Sequence, residues 1–236
     1  MCLERNELSK VVSVLSKHVE VDMIKRRVLA METRSSYIKW ARFYDVVVTL
    51  MSLGREPAFR KTTLELGEVR PGQKLLDVGC GTGTLAILAK AKAGPDGEVH
   101  GIDASPEMIE VACRKTDKAG ADVRFQVGLF EDIPFPDDQF DLALSSLMLH
   151  HLPDELKREG FAEIYRVLKP GGHLLTLDFG APSNSLISHL ILLFGHSRTQ
   201  SNVQELMTMM EDTGFREVEA VQAKYRGLAF IRATVS

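Results

Sequence analysis

The segment LLDVGCGTG, Leu75 to Gly83, sets a carboxylate, Asp77, just ahead of three glycines, Gly79, Gly81 and Gly83, at the exit of an apolar run. Glycines that close a strand and open a helix offer bare backbone N–H groups to a ligand. A dinucleotide loop has the spacing G-x-G-x-x-G, whereas this one reads G-x-G-x-G. Asp77 sharpens the distinction, because a carboxylate repels a pyrophosphate and attracts an ammonium or a sulfonium. A second acid, Asp103 in GIDAS, ends the next apolar run, where it suits a bidentate hydrogen bond to two ribose hydroxyls. Together the two acids point to a nucleoside that carries positive charge, for which S-adenosylmethionine is the fitting cofactor.

Other residues have chemistry to offer. Cys80, inside the loop, has no neighbour that would clearly activate a thiolate and reads as a small packing residue. His150 and His151 follow a later apolar run, FDLALSS; an imidazole there could be a general base, or could cap or pack against the next helix. His189 and His196 lie in a segment after Gly180 that suits an acceptor pocket. No cluster with metal-ligand spacing is present, so no metal is expected.

These residues need a frame to hold them. From Leu8 to Met31 and again after Ser35 the apolar residues recur at helical spacing, so residues 1–70 read as an N-terminal helical cap. From 71 to 236 short apolar runs alternate with amphipathic stretches: KLLDV, a helix from Thr84, EVHGID, a helix from Ser105, DVRFQV, FDLALSS, a helix from Pro153 and GHLLTLDF. That alternation predicts an α/β fold with a Rossmann-like, seven-stranded, mostly parallel sheet and helices on both faces. Turn clusters GPDG, PFPDD and KPGG separate the elements. Two final strands, EVEAVQA and GLAFIRATV, have no helix between them and predict an antiparallel C-terminal hairpin. Residues 181–201 form an insertion, and the methionines of LMTMMEDTGF read as core filling.

Composition narrows the function classes. Of 236 residues 44% are hydrophobic, enough for a full core, and a net charge of -3 gives no footprint for nucleic acid. Three scattered cysteines, Cys2, Cys80 and Cys113, suggest a reducing, cytoplasmic setting. The longest apolar run, LILLF, is far too short for a transmembrane segment; LISHLILLF, Leu186 to Phe194, reads as core and pocket, with peripheral membrane contact as the alternative. The helix 8–31 could pack on its own domain, close the site or dimerise, so monomer and homodimer both stand.

Six motifs in order, YDVVVTLMSLG, LLDVGCGTG, GIDASPEMIEVA, EDIPFPDDQFDLALSS, LHHL and IYRVLKPGGHLLTLDF, carry a resemblance to class I S-adenosylmethionine-dependent methyltransferases. The resemblance runs from about Tyr44 to Phe215 and is to the branch that includes the ubiquinone/menaquinone C-methyltransferases. It implies that Gly79, Cys80 and Gly81 line the methionine part of the cofactor, that Asp103 holds the ribose, and that Ala104 and Met108 pack on the adenine. Leu129, Phe130 and Glu131 would bracket the adenine edge, although Leu129 stands where the family often has Asp or Asn. Ser145 and Ser146 would offer backbone to the methionyl chain, and Tyr44 would fold over the cofactor as a lid. The acceptor implied is a small, apolar molecule. Where the quinone enzymes carry Arg-Asn, this chain has His150 and His151, which speaks against a quinone acceptor. The rival readings are a nicotinamide-dependent oxidoreductase and a degenerate methyltransferase fold that only binds partners.

Overall fold

The computed structural model describes residues 55–180, 203–225 and 227–236. The helix 8–31, Tyr44, His189, His196 and the insertion 181–201 lie outside the described residues. The first described helix, α1 (Glu56–Leu66), takes Pro57 in its first turn, where a missing N–H costs nothing, and buries Phe59, Thr63 and Leu64. Five parallel-fed elements follow: β1 (Lys74–Val78), α2 (Thr84–Ala93), β2 (Glu98–Asp103), α3 (Pro106–Ala119) and β3 (Val123–Val127). The second half holds β4 (Phe140–Ser146), a short 3₁₀ turn at Leu149–His151, α4 (Asp154–Val167), β5 (Leu168–Phe179), α5 (Val203–Thr213), β6 (Arg216–Val221) and β7 (Leu228–Thr234).

The strands form one seven-stranded sheet in the order β3-β2-β1-β4-β5-β7-β6. The pairs β1–β2, β1–β4, β2–β3 and β4–β5 are parallel, and β7 runs antiparallel to both β5 and β6. The expected mostly parallel sheet and antiparallel closing hairpin are therefore both found. The chain moves outward one way through β1, β2 and β3, then crosses back to β4. That reversal leaves a crevice at the carboxyl ends of β1 and β4, where open α/β sheets bind ligands.

Alternation along each strand assigns the two faces. Leu76, Val78, Ala143, Leu174 and Ile231 face a core filled by Phe161 and Ile164 of α4 and by Leu206, Met209 and Met210 of α5. Leu75, Leu142, Leu144 and Leu175 face the other way, onto Leu85, Ala86 and Ala89 of α2 and Leu64 of α1. Full burial of a Leu, Ile, Phe or Met side chain contributes about 1.5–3 kcal/mol, so these two layers hold the crevice rigid.

One boundary differs from the sequence reading. KPGG is not a turn between elements but lies inside β5: Phe140 pairs with Leu168 and Leu142 with His173, so Lys169 to Gly172 loop out of the ladder as a bulge. Gly171, with φ +74°, turns the bulge, and its N–H donates to the Val235 carbonyl. A local turn signal cannot tell whether the strand resumes on the same partner; here β4 supplies that partner on both sides.

Candidate active site at the carboxyl edge of the sheet

The carboxyl ends of the five parallel strands, β1 to β5, contribute to one small region. After Val78 the glycine loop carries Gly79, Gly81 and Gly83 with positive φ of 69°, 53° and 76°, a conformation that L side chains rarely adopt. Two of the glycines also make room for neighbours. A Cβ on Gly79 would sit 2.5 Å from Cγ of Met148, and one on Gly83 2.6 Å from Cζ of Phe125. The loop is pinned by the Cys80 N–H donating to the Ile102 carbonyl at 2.9 Å and the Gly83 N–H donating to the Cys80 carbonyl at 2.9 Å.

Asp103 ties the two βα turns together. Its Oδ2 accepts from the Gly81 N–H at 2.9 Å and its Oδ1 from the Ser105 N–H at 2.9 Å. Ser105 in turn caps α3 by accepting from the Met108 N–H at 3.2 Å. The Asp103 carbonyl accepts from the Gly128 N–H, which brings the β3 exit alongside. Asp103 thus braces the loop through both carboxylate oxygens.

Asp77 is 2% exposed, and its Oδ2 has no hydrogen-bond partner among the described residues. Burial pushes its pKa from 3.8 up to about 7; the Arg60 guanidinium opposes that shift, the Asp103 charge adds to it, and the Ala86 N–H works against it. Arg60, on α1, is itself held by Glu56 through Nε to Oε1 at 2.7 Å. A buried carboxyl with one unsatisfied oxygen, close to a second acid, favours a cation and is hostile to a pyrophosphate. The donor set thus fits S-adenosylmethionine and not a dinucleotide.

Cys80 is buried, and its thiol is pushed well up by burial and by the charges of Asp77 and Asp103, as expected of a packing residue. Ala104 and Met108 follow Asp103 at the start of α3, with Met108 buried. Leu129 and Glu131 flank the loop after β3, both half-buried. Phe130 points elsewhere: its ring packs edge-to-face on Phe161 at 5.7 Å, in the place left by Gly160 of α4. Ser146 is half-buried and alternates onto the Asp77 face of the sheet, while Ser145 is 1% exposed on the opposite face and its hydroxyl has no partner among the described residues.

The second half of the crevice is built differently. Leu147 takes φ +56°, which a bulky residue rarely does, and so redirects the chain as it leaves β4. That turn sends Met148 against Gly79 and brings His150 back onto β5. His150 Nδ1 lies 2.7 Å from Oδ1 of Asp178, and its own N–H donates to Oδ2 at 3.0 Å. The partner of His150 is thus a strand carboxylate and not the following helix. His151, next to it, is exposed and lies against the His150 ring, centroids 3.8 Å apart and planes tilted by 44°.

Sequence reasoning missed Asp178, Arg60 and Met148. Asp178 had a signal: TLDF ends β5 in an acid at the same edge as LLDV and GID. Arg60 and Met148 had none, because each acts through a residue far from it in sequence.

The comparisons agree with the fold. A methyltransferase domain model matches residues 75–172. The demethylmenaquinone methyltransferase of Bacillus cytotoxicus is 30% identical over 200 residues, covering 75% of this chain and 84% of that protein. That of Symbiobacterium thermophilum is 35% identical over 156 residues, covering 65% of this chain and 61% of its own length. Among solved structures, a SAM-dependent methyltransferase from Aquifex aeolicus superposes with a TM-score of 0.63 at 23% identity, over 75% of this chain and 89% of that one. Fold and site define a Rossmann-like, S-adenosylmethionine-binding protein. The chain belongs to the class I S-adenosylmethionine-dependent methyltransferases, in the branch of the ubiquinone/menaquinone biosynthesis C-methyltransferases.

Proposed function

We propose that the protein methylates a small, largely apolar acceptor of the hydroquinone type at a ring carbon. The names of the relatives support that acceptor class, and the buried carboxyl of Asp77, whose Oδ2 has no hydrogen-bond partner among the described residues, is the observation that supports the cationic cofactor. Bound here, S-adenosylmethionine supplies a methyl group already made electrophilic by the sulfonium, and S-adenosylhomocysteine is the product.

The chain's own tasks are then to bind, align and exclude water. Asp103 would take the ribose hydroxyls, with Ala104 and Met108 against the adenine and Leu129 and Glu131 at its edge. Asp77 and the Gly79 to Gly81 backbone would take the charged methionine end, with the Ser145 and Ser146 backbone opposite. The acceptor would approach from the side of His150 and His151. Those histidines replace the Arg-Asn pair of the quinone enzymes, so acceptor binding here would differ in detail from theirs.

Calorimetry with S-adenosylmethionine and with NAD, followed by methyl transfer from labelled cofactor to a reduced, short-chain demethylmenaquinone, tests the reading. Binding of the first ligand and label in the ring are expected. Binding of NAD alone would overturn it.

A further inference from the structure

We infer that His150 and Asp178 form a base dyad, in which His150 Nε2 removes a proton from the acceptor and Asp178 is its positioning residue. The inference rests on the methyltransferase reading above and narrows its acceptor to one that must lose a proton to react, such as a phenol or hydroquinone.

The geometry sets the tautomer. The Asp178 carboxylate accepts the His150 N–H at 3.0 Å on Oδ2 and the Phe179 N–H at 2.7 Å on Oδ1. Two backbone donors fix the plane of the carboxylate, and the third group on it, His150 Nδ1 at 2.7 Å, must also donate. The proton therefore sits on Nδ1, and Nε2 is the ring's acceptor. The ring is also clamped, by Phe179 edge-on at 4.7 Å and by His151 at 3.8 Å. The Asp178 side chain is 3% exposed and that of His150 12%, so the acid is buried and the imidazole keeps a small exposed area. A fixed tautomer held by a buried acid is the arrangement that orients an imidazole as a base.

Position supports the role. His150 lies two residues after Met148, whose side chain abuts Gly79 of the cofactor loop. Beneath it, Thr176 shares the Asp178 face of β5 and pairs in register with Ser145, and both hydroxyls are buried without partners among the described residues. Among the described residues, the titratable groups that lie against the His150 ring are Asp178 on β5 and His151 on its own turn.

The step balances. A ring hydroxyl of the acceptor gives its proton to Nε2 while a ring carbon's π pair forms the new C–CH3 bond and the pair of the breaking C–S bond stays on sulfur. The ring C–H proton then leaves to water, and the imidazolium returns its proton to the ring oxygen. One proton is released per methyl transferred.

Two measurements decide the matter. Long-range 1H–15N NMR of the free protein should show His150 protonated on Nδ1 alone at pH 8, and an Asp178→Asn variant should lose that preference; an Nε2–H tautomer in the parent overturns the dyad whatever the activity. With the reduced, short-chain demethylmenaquinone, His150→Gln should lower kcat about 10²–10⁴-fold. It should leave the KM for the acceptor within about 2-fold and abolish the acid limb of the kcat profile, and a more acidic phenol should recover most of the rate. Unchanged kcat with the same acid limb overturns the dyad alone. A parent that binds S-adenosylmethionine and methylates neither phenol overturns the acceptor class and the dyad together, and one that binds no S-adenosylmethionine overturns the methyltransferase reading.

Discussion

The two halves of the crevice solve the same placement problem with different materials. On the β1–β2–β3 side almost every contact uses backbone: the Cys80, Gly81, Gly83, Ser105 and Gly128 N–H groups hold the loops, and Asp103 is their shared anchor. On the β4–β5 side two side chains, His150 and Asp178, meet across 28 residues of chain. Backbone contacts are local and leave a compact motif. Side-chain contacts between distant strands leave two ordinary residues. The first half therefore suits a ligand common to a whole family, and the second can change with the acceptor.

The largest effect expected is at Asp103. Asp103→Ala removes two braces and the proposed ribose acceptors, and charge-assisted bonds contribute about 1.5–3 kcal/mol each, so affinity for S-adenosylmethionine should fall roughly 100-fold or more by calorimetry. An unchanged affinity would break the contrast between the halves at its strongest point.

Next comes the seam between them. A Cβ on Gly160 would lie 1.9 Å from Cδ1 of Phe130, so Gly160→Ala must displace the ring from its place on Phe161. A destabilisation of about 3 kcal/mol is expected. That corresponds to a Tm lowered by roughly 6–12 °C. If cofactor affinity drops as well, the halves are coupled through this ring.

Asp77 should give a smaller and charge-selective effect. Asp77→Asn is expected to weaken S-adenosylmethionine about 10-fold and S-adenosylhomocysteine, which lacks the sulfonium, by less. With Asp77 at about 7 in the fold and 3.8 as the ordinary value, the unfolded chain ionises first as pH rises. The native state is then favoured fully below about pH 4 and loses that advantage up to about pH 7. Urea midpoints at pH 5 and 8 should show the variant gaining on the parent at the higher pH. Binding of the cationic cofactor near pH 7 should also release up to about half a proton, measurable by calorimetry in buffers of different ionisation enthalpy. The smallest effect sharpens the comparison most: His150→Gln should leave S-adenosylmethionine affinity within about 2-fold.

Legibility followed the same division. The alternating runs and their punctuation foretold all seven strands, and Gly79, Gly81 and Gly83 with Asp77 and Asp103 could be read because their spacing encodes their geometry. The bulge at Lys169 to Gly172 was hidden because only the pairing with β4 distinguishes it from a turn. The packing of the Phe130 ring was hidden because Gly160, which makes the socket for it, lies thirty residues further along the chain. Asp178 escaped notice because a carboxylate at a strand end has meaning only once the chain turned by Leu147 returns His150 to it.

The Phe130 ring in its Gly160 socket has a consequence for engineering. Exchanging the adenine-side loop with that of a relative is not a cassette operation, since the loop is keyed into a helix that starts more than twenty residues later. A chimera would have to import the key and the lock as one unit, and libraries that randomise the loop while holding position 160 as glycine should keep far more folded members than those that do not.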